Sequence, residues 1–104
     1  MQTENAVEIA KLNDAFRATG QGVTITSGVQ ALENLYGLLQ EVREYDNWGE
    51  DNDPYGEHDF GKFMWNGKKI FWKIDYYNPG LCYWGDPLEP GTQRIMTIML
   101  ASEY

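Results

Sequence analysis

Asn66-Gly67 separates two runs of strand-forming character, Phe60 to Trp65 and Lys68 to Tyr77. A two-residue connection of type I′ needs positive φ at both central positions, which Asn and Gly tolerate, so this dipeptide predicts a β-hairpin. Along the second strand Ile70, Trp72, Ile74 and Tyr76 point one way, while Phe71, Lys73, Asp75 and Tyr77 point the other. Only the first of these faces is wholly apolar, and it is the one predicted to meet helices. Asn78 to Gly91 holds three of the four prolines and three glycines and reads as an irregular connection. Thr92 to Ala101 then resumes as an apolar strand.

The helices precede the hairpin. From Asn5 to Arg17, Ile9, Leu12 and Phe16 recur at helical spacing, with Ala6 and Ala10 nearby and Glu8, Lys11, Asp14 and Arg17 on the remaining faces. Thr3 or Asn5 can cap this helix, Asn5 and Glu8 have capping-box spacing, and Gly20 and Gly22 end it. Val23 to Thr26 is a short β-branched run. Ser27 and Gln30 then have capping-box spacing at the start of a second helix, expected to run to about Arg43 on Val29, Leu32, Leu35, Tyr36, Leu39 and Val42. The predicted order is αβαβββ: two N-terminal helices packed on a small antiparallel sheet built around the hairpin, an α+β rather than a parallel α/β arrangement. The 104 residues suit one domain, and neither a repeat nor a linker divides them.

The first twenty residues do not follow the pattern of a secretory signal, and no apolar run approaches the length of a membrane span. Cys82 is the only cysteine, which excludes an intrachain disulfide and Cys-rich metal motifs and points to a cytoplasmic setting. No cationic neighbour in its Gly/Pro-rich surroundings would activate the thiol, so it is assigned no role.

Charge is concentrated in one segment. Glu41, Glu44, Asp46, Glu50, Asp51, Asp53, Glu57 and Asp59 are opposed there by Arg43 alone, so Glu41 to Asp59 carries -7 of the chain's net charge of -8. Lys62, Lys68, Lys69 and Lys73 form a smaller cationic concentration on the hairpin. Such a balance disfavours phosphate backbones and anionic membranes as direct partners and favours basic proteins. The plain reading is that these acids solvate a long loop and pair in part with the hairpin lysines. The sharper reading is a binding face in which Glu44, Asp46, Glu50, Asp51, Asp53 and Glu57 imitate phosphates, with Trp48 and Tyr55 as aromatic anchors. The alternative for the two rings is that they fold back onto the core.

Metal and catalytic readings have weaker support. Asp51-x-Asp53-x-Tyr55-Gly56 begins like a calcium loop, yet Pro54 interrupts it and its twelfth position is Lys62, which supplies no carboxylate. His58 is the sole histidine, too few for an ordinary zinc site. Glu57-His58-Asp59 could orient an imidazole for hydrolysis, but no nucleophile has a recognisable context: Ser27 reads as a helix cap and Ser102 as a surface residue. His58 is better explained as a structural residue tying the acidic loop to the first hairpin strand. No phosphate loop or dinucleotide fingerprint occurs, so neither an enzyme nor a cofactor is predicted.

The words Asp51-Asn52-Asp53-Pro54-Tyr55-Gly56-Glu57-His58-Asp59-Phe60-Gly61, Trp72-Lys73-Ile74-Asp75-Tyr76-Tyr77 and Thr97-Ile98-Met99-Leu100-Ala101-Ser102-Glu103-Tyr104, with Leu12-Asn13-Asp14-Ala15-Phe16-Arg17 and Thr19-Gly20-Gln21-Gly22, carry a resemblance over nearly the whole chain. The chain resembles the bacterial domain-of-unknown-function family 3768, and departs from it mainly at Leu81-Cys82-Tyr83-Trp84-Gly85. The resemblance implies a small cytoplasmic protein often found near mobile elements, and brings no catalytic residue or cofactor with it. Joined to the acidic loop, it leads to an expected inhibitor of host nucleic-acid machinery, anti-CRISPR or antirestriction-like, docking on the basic surface of a nucleic-acid-binding protein. A metal-binding or small hydrolytic role for the Glu57-His58-Asp59 region is the alternative. A homodimer through the edge of Thr92 to Ala101 is a further expectation.

Overall fold

The computed structural model describes residues 4–19, 21–80 and 83–104, so Thr3, Gly20 and Cys82 lie outside the described residues. The chain forms helix α1 (Glu4–Thr19), strand β1 (Val23–Ile25), helices α2 (Ser27–Gln30) and α3 (Leu35–Arg43), strands β2 (Phe60–Trp65), β3 (Lys68–Tyr77) and β4 (Gln93–Leu100), and a closing 3-10 turn, Ala101–Glu103. Asn66 and Gly67 take φ of 50° and 78°, and β2 and β3 pair antiparallel from Trp65↔Lys68 to Phe60↔Lys73.

This is an α+β fold, with a four-stranded sheet in the order β1-β4-β3-β2. The sheet is mixed rather than antiparallel: β1 runs parallel to β4, with Val23 opposite Met96 and Ile25 opposite Ile98. A long connection through two helices and two strands separates β1 from β4, so no tight turn dictates their relative direction. The strand expected at 92–101 is consequently interior, and the sheet's edges belong to β1 and β2. Sheet extension through β4 thus loses the free edge on which the expected dimer rested.

The single second helix is also two helices. Asn34 takes a left-handed φ of 56° and its side chain accepts from the Gly37 amide at 3.2 Å, starting α3 on a new axis. Val29 and Leu38 can then both be fully buried, whereas Tyr36 is turned out to 77% exposure. Ser27 does not cap α2. The N-cap is Thr26, without a side-chain cap bond, and the Glu103 carboxylate closes this end by accepting from Thr26 Oγ1 at 2.6 Å and Gly28 N at 3.1 Å.

Ile70, Trp72, Ile74 and Tyr76 line the buried face of β3 and meet Ile9, Val29, Leu38, Val42, Met96 and Ile98 in one core. Gly61 stands opposite Trp72, and a Cβ there would overlap the indole, so the β2 backbone itself makes room for the ring. On α1 the buried stripe is Ala6, Ile9, Ala10, Asn13 and Arg17, while Leu12 is exposed. The helix is rotated from the apolar expectation because Asn13 and Arg17 find polar partners in the sheet and in the loop after α3.

Candidate functional site

The acidic segment is pinned from beneath by its own polar and aromatic residues. The Tyr45 hydroxyl donates to the Lys62 carbonyl and accepts from the Lys62 amide, both at 3.1 Å, satisfying main-chain groups on the edge strand β2. Buried Asn52 donates to the Tyr45 hydroxyl at 3.3 Å and to the Asn47 carbonyl at 3.1 Å, while its Oδ1 accepts from Gly49 N. Trp48 lies flat on the His58 ring, centroids 3.9 Å apart, and edge-on to Tyr45 and Trp72. The Arg17 guanidinium sits 5.1 Å from both the Trp48 and Trp72 rings and donates to the Tyr45 carbonyl.

His58 adopts a left-handed φ of 57°. Its Nδ1 donates to the Asp14 carboxylate at 3.0 Å, and its Nε2 lies 3.6 Å from Asp53 Oδ2. The Asp53 carboxylate also accepts from the His58 amide. His58 therefore ties the loop to α1 rather than to the first hairpin strand. Each ring nitrogen faces a carboxylate. Among the described residues, no three His, Cys, Asp or Glu side chains are placed to hold a metal ion.

A second network continues from here across the sheet. Asn13, with no exposed surface, donates to the Glu57 carbonyl at 2.9 Å and to the Tyr76 hydroxyl at 2.8 Å, and its Oδ1 accepts from Arg94 Nε at 2.7 Å. The Tyr76 hydroxyl donates onward to Asp59 Oδ2. Burial raises the Asp59 and Glu57 carboxyls above their ordinary values and lifts the Tyr76 phenol further still, so this network favours neutral acids. Desolvation lowers the Arg94 guanidinium from its usual value.

The predicted face is thus divided. Glu44, Asp46, Glu50, Asp51 and Tyr55 are exposed, Glu57 is half-buried, Trp48 is folded against the core, and the Asp53 side chain is turned inward with 4% exposure. Lys62 lies 3.1 Å from Asp51 and holds its carboxyl below the usual range. Glu44 accepts from Gln40. Glu41, Asp46 and Glu50 pair with no cation among the described residues. Sequence reasoning missed Asn13, Asp14, Arg17 and Arg94. The available signal was the four-residue spacing Ile9, Asn13, Arg17, which puts both polar residues on the stripe that Ile9 begins.

Fold and site together define a small α+β domain with a braced, acid-rich loop. The family described as protein of unknown function (DUF3768) matches residues 25–103, and the chain belongs to that family. No curated protein and no solved structure matches the chain. Among the described residues no helix is long and apolar enough to cross a membrane.

Proposed function

We propose that this domain is a protein-binding inhibitor whose acidic loop occupies a basic, nucleic-acid-binding surface of another protein, an anti-CRISPR or antirestriction-like mode of action. The observation that carries this reading is the division of labour across the end of α3 and the loop that follows it. Tyr45, Trp48, Asn52 and His58 hold the loop, while Glu41 on α3 and Asp46 and Glu50 in the loop face solvent without cationic partners among the described residues. Unpaired like charges on a braced backbone repel one another in the free protein, and a cationic partner relieves that repulsion. Long-range attraction would also speed encounter, and the bracing reduces the ordering cost on binding. Exposed Tyr55 supplies an amphipathic ring beside the charges.

The test is capture from native host lysate at low and moderate salt, comparing wild type with Glu44→Lys/Asp46→Lys/Glu50→Lys. Asp53 and Glu57 are left intact because they belong to the supporting structure. Retention of a nucleic-acid-binding protein by wild type, lost with salt, with charge reversal and with added nucleic acid, is the expected result. Empty capture, or retention indifferent to the reversal, refutes the reading.

A further inference from the structure

Arg43, the lone cation of the acidic segment, does not neutralise that segment. It pairs with no carboxylate among the described residues and stands instead on a cavity of about 200 Å³. The cavity is walled by Val23 and Ile25 of β1, Leu39 and Val42 of α3, and Met96 and Ile98 of β4. Arg17 completes the lining with Arg43, and no acid contributes to it. Six apolar residues and two arginines thus line a small space in a chain whose net charge is -8.

The two arginines differ in use. Arg43 is exposed at the end of α3, available to grip a headgroup. Arg17 is 5% exposed, and its Nε is buried without a hydrogen-bond partner. Its guanidinium is fixed between the Trp48 and Trp72 rings, and its one carboxylate neighbour, Asp14, is itself 44% exposed. The buried cationic charge is therefore only partly compensated, and it belongs to a residue that lines this cavity.

From this combination we infer that the cavity binds a small organic carboxylate, with an apolar body of about one ring among the aliphatic walls and a carboxylate head on Arg43 near the field of Arg17. The size is suited to this class, since an apolar cavity of about 150 Å³ already takes benzene. A planar guanidinium favours a carboxylate through paired, charge-assisted hydrogen bonds. The site lies on the β1–α3 side of the sheet, and its lining includes none of the carboxylates of the acidic face.

The probe is phenylacetate, titrated into the full chain while backbone amide and methyl resonances are followed by NMR. Saturable shifts centred on Val23, Ile25, Leu39, Val42 and Ile98 are expected. The neutral isostere phenylacetamide should bind at least about tenfold more weakly, the worth of one charge-assisted contact, and acetate, which keeps that contact but lacks the ring, should lose at least about as much through the missing apolar burial. Arg43→Gln, at an exposed position, should lose about the same factor with an otherwise unchanged spectrum, and Leu39→Phe should abolish binding by filling the space. The inference is overturned by no saturable shift up to about 10 mM, a generous ceiling for a ligand of this size. Equal affinity for phenylacetamide, or shifts mapping elsewhere, overturns it as well.

Discussion

Replacing Asn13 with Ala should cost this domain a large part of its stability, although it removes only a few atoms from a helix and improves helix propensity. The side chain has no exposed surface and serves three partners: the Glu57 carbonyl at 2.9 Å, the Tyr76 hydroxyl at 2.8 Å and Arg94 Nε at 2.7 Å. Each bond lost at these partners costs about 1 kcal/mol when neutral and about 2 kcal/mol when charged, which sums to roughly 4 kcal/mol before relaxation. The better propensity of Ala returns only about 0.5 kcal/mol. Against a total of roughly 5–15 kcal/mol for a domain, this predicts a thermal midpoint lower by about 15–25 °C. The assay is urea unfolding followed by tryptophan fluorescence, with midpoint and slope fitted together. Tyr76→Phe alone and combined with Asn13→Ala completes a double-mutant cycle, in which a coupling of about 1 kcal/mol is expected from the shared bond. A loss below about 1 kcal/mol for Asn13→Ala at an unchanged slope would refute the view that these partners depend on it.

Gly61→Ala places a Cβ into the Trp72 indole and should destabilise by about 1–3 kcal/mol in the same assay, whereas Gly67→Ala, with open space around it, should cost only the strain of its positive φ. Burial raises the Asp59 carboxyl above 3.8, so the folded state binds more protons than the unfolded state between that value and the raised one. Stability contributed by protonated Asp59 is therefore lost as pH rises through that window. Asp59→Asn should remove this dependence, seen as a urea-midpoint difference from wild type that changes as pH rises above 3.8; parallel profiles would contradict it. Glu103 behaves oppositely: the Thr26 hydroxyl, with the Leu100 and Gly28 amides, holds its carboxyl below 4.5, so its capping contribution is present above that range and fades as pH falls through the lowered value. Glu103→Ala should speed amide exchange at Gly28 to Gln30, and unchanged exchange there would show that α2 does not rely on this cap.

The parts of the fold legible in the sequence were those governed by neighbours along the chain. Asn66-Gly67 specifies its turn locally, and the alternation of Ile70, Trp72, Ile74 and Tyr76 follows from the pleat. The parts that escaped depend on residues far apart. Asn34 looks unremarkable in a helical run until its left-handed conformation splits the run, and the cap of α2 comes from Glu103, 75 residues beyond Gly28. The direction of β1 is decided by pairing with β4 across most of the chain. The acidic loop was legible as a concentration of charge, but which carboxylates face outward depended on Asp14, contributed from α1. No spacing rule connects positions 44 residues apart.

That dependence decides how the loop can carry its charge. Carboxylates crowded on a free chain would spread apart, and the extended ensemble would have to be ordered again on binding. Here Asp53 is spent on the His58 amide and ring, Asp59 receives the Tyr76 hydroxyl, and the Glu57 main chain is held by Asn13. Residues at the end of the loop thus serve as structural acceptors, while the acids from Glu41 on α3 to Glu50 in the loop remain on the surface. Reversing the charge of Asp53 would confuse loss of a contact with loss of the support beneath it. Reversing Asp46 or Glu50 alters the surface field alone, which is why the function of this face can be separated from its folding.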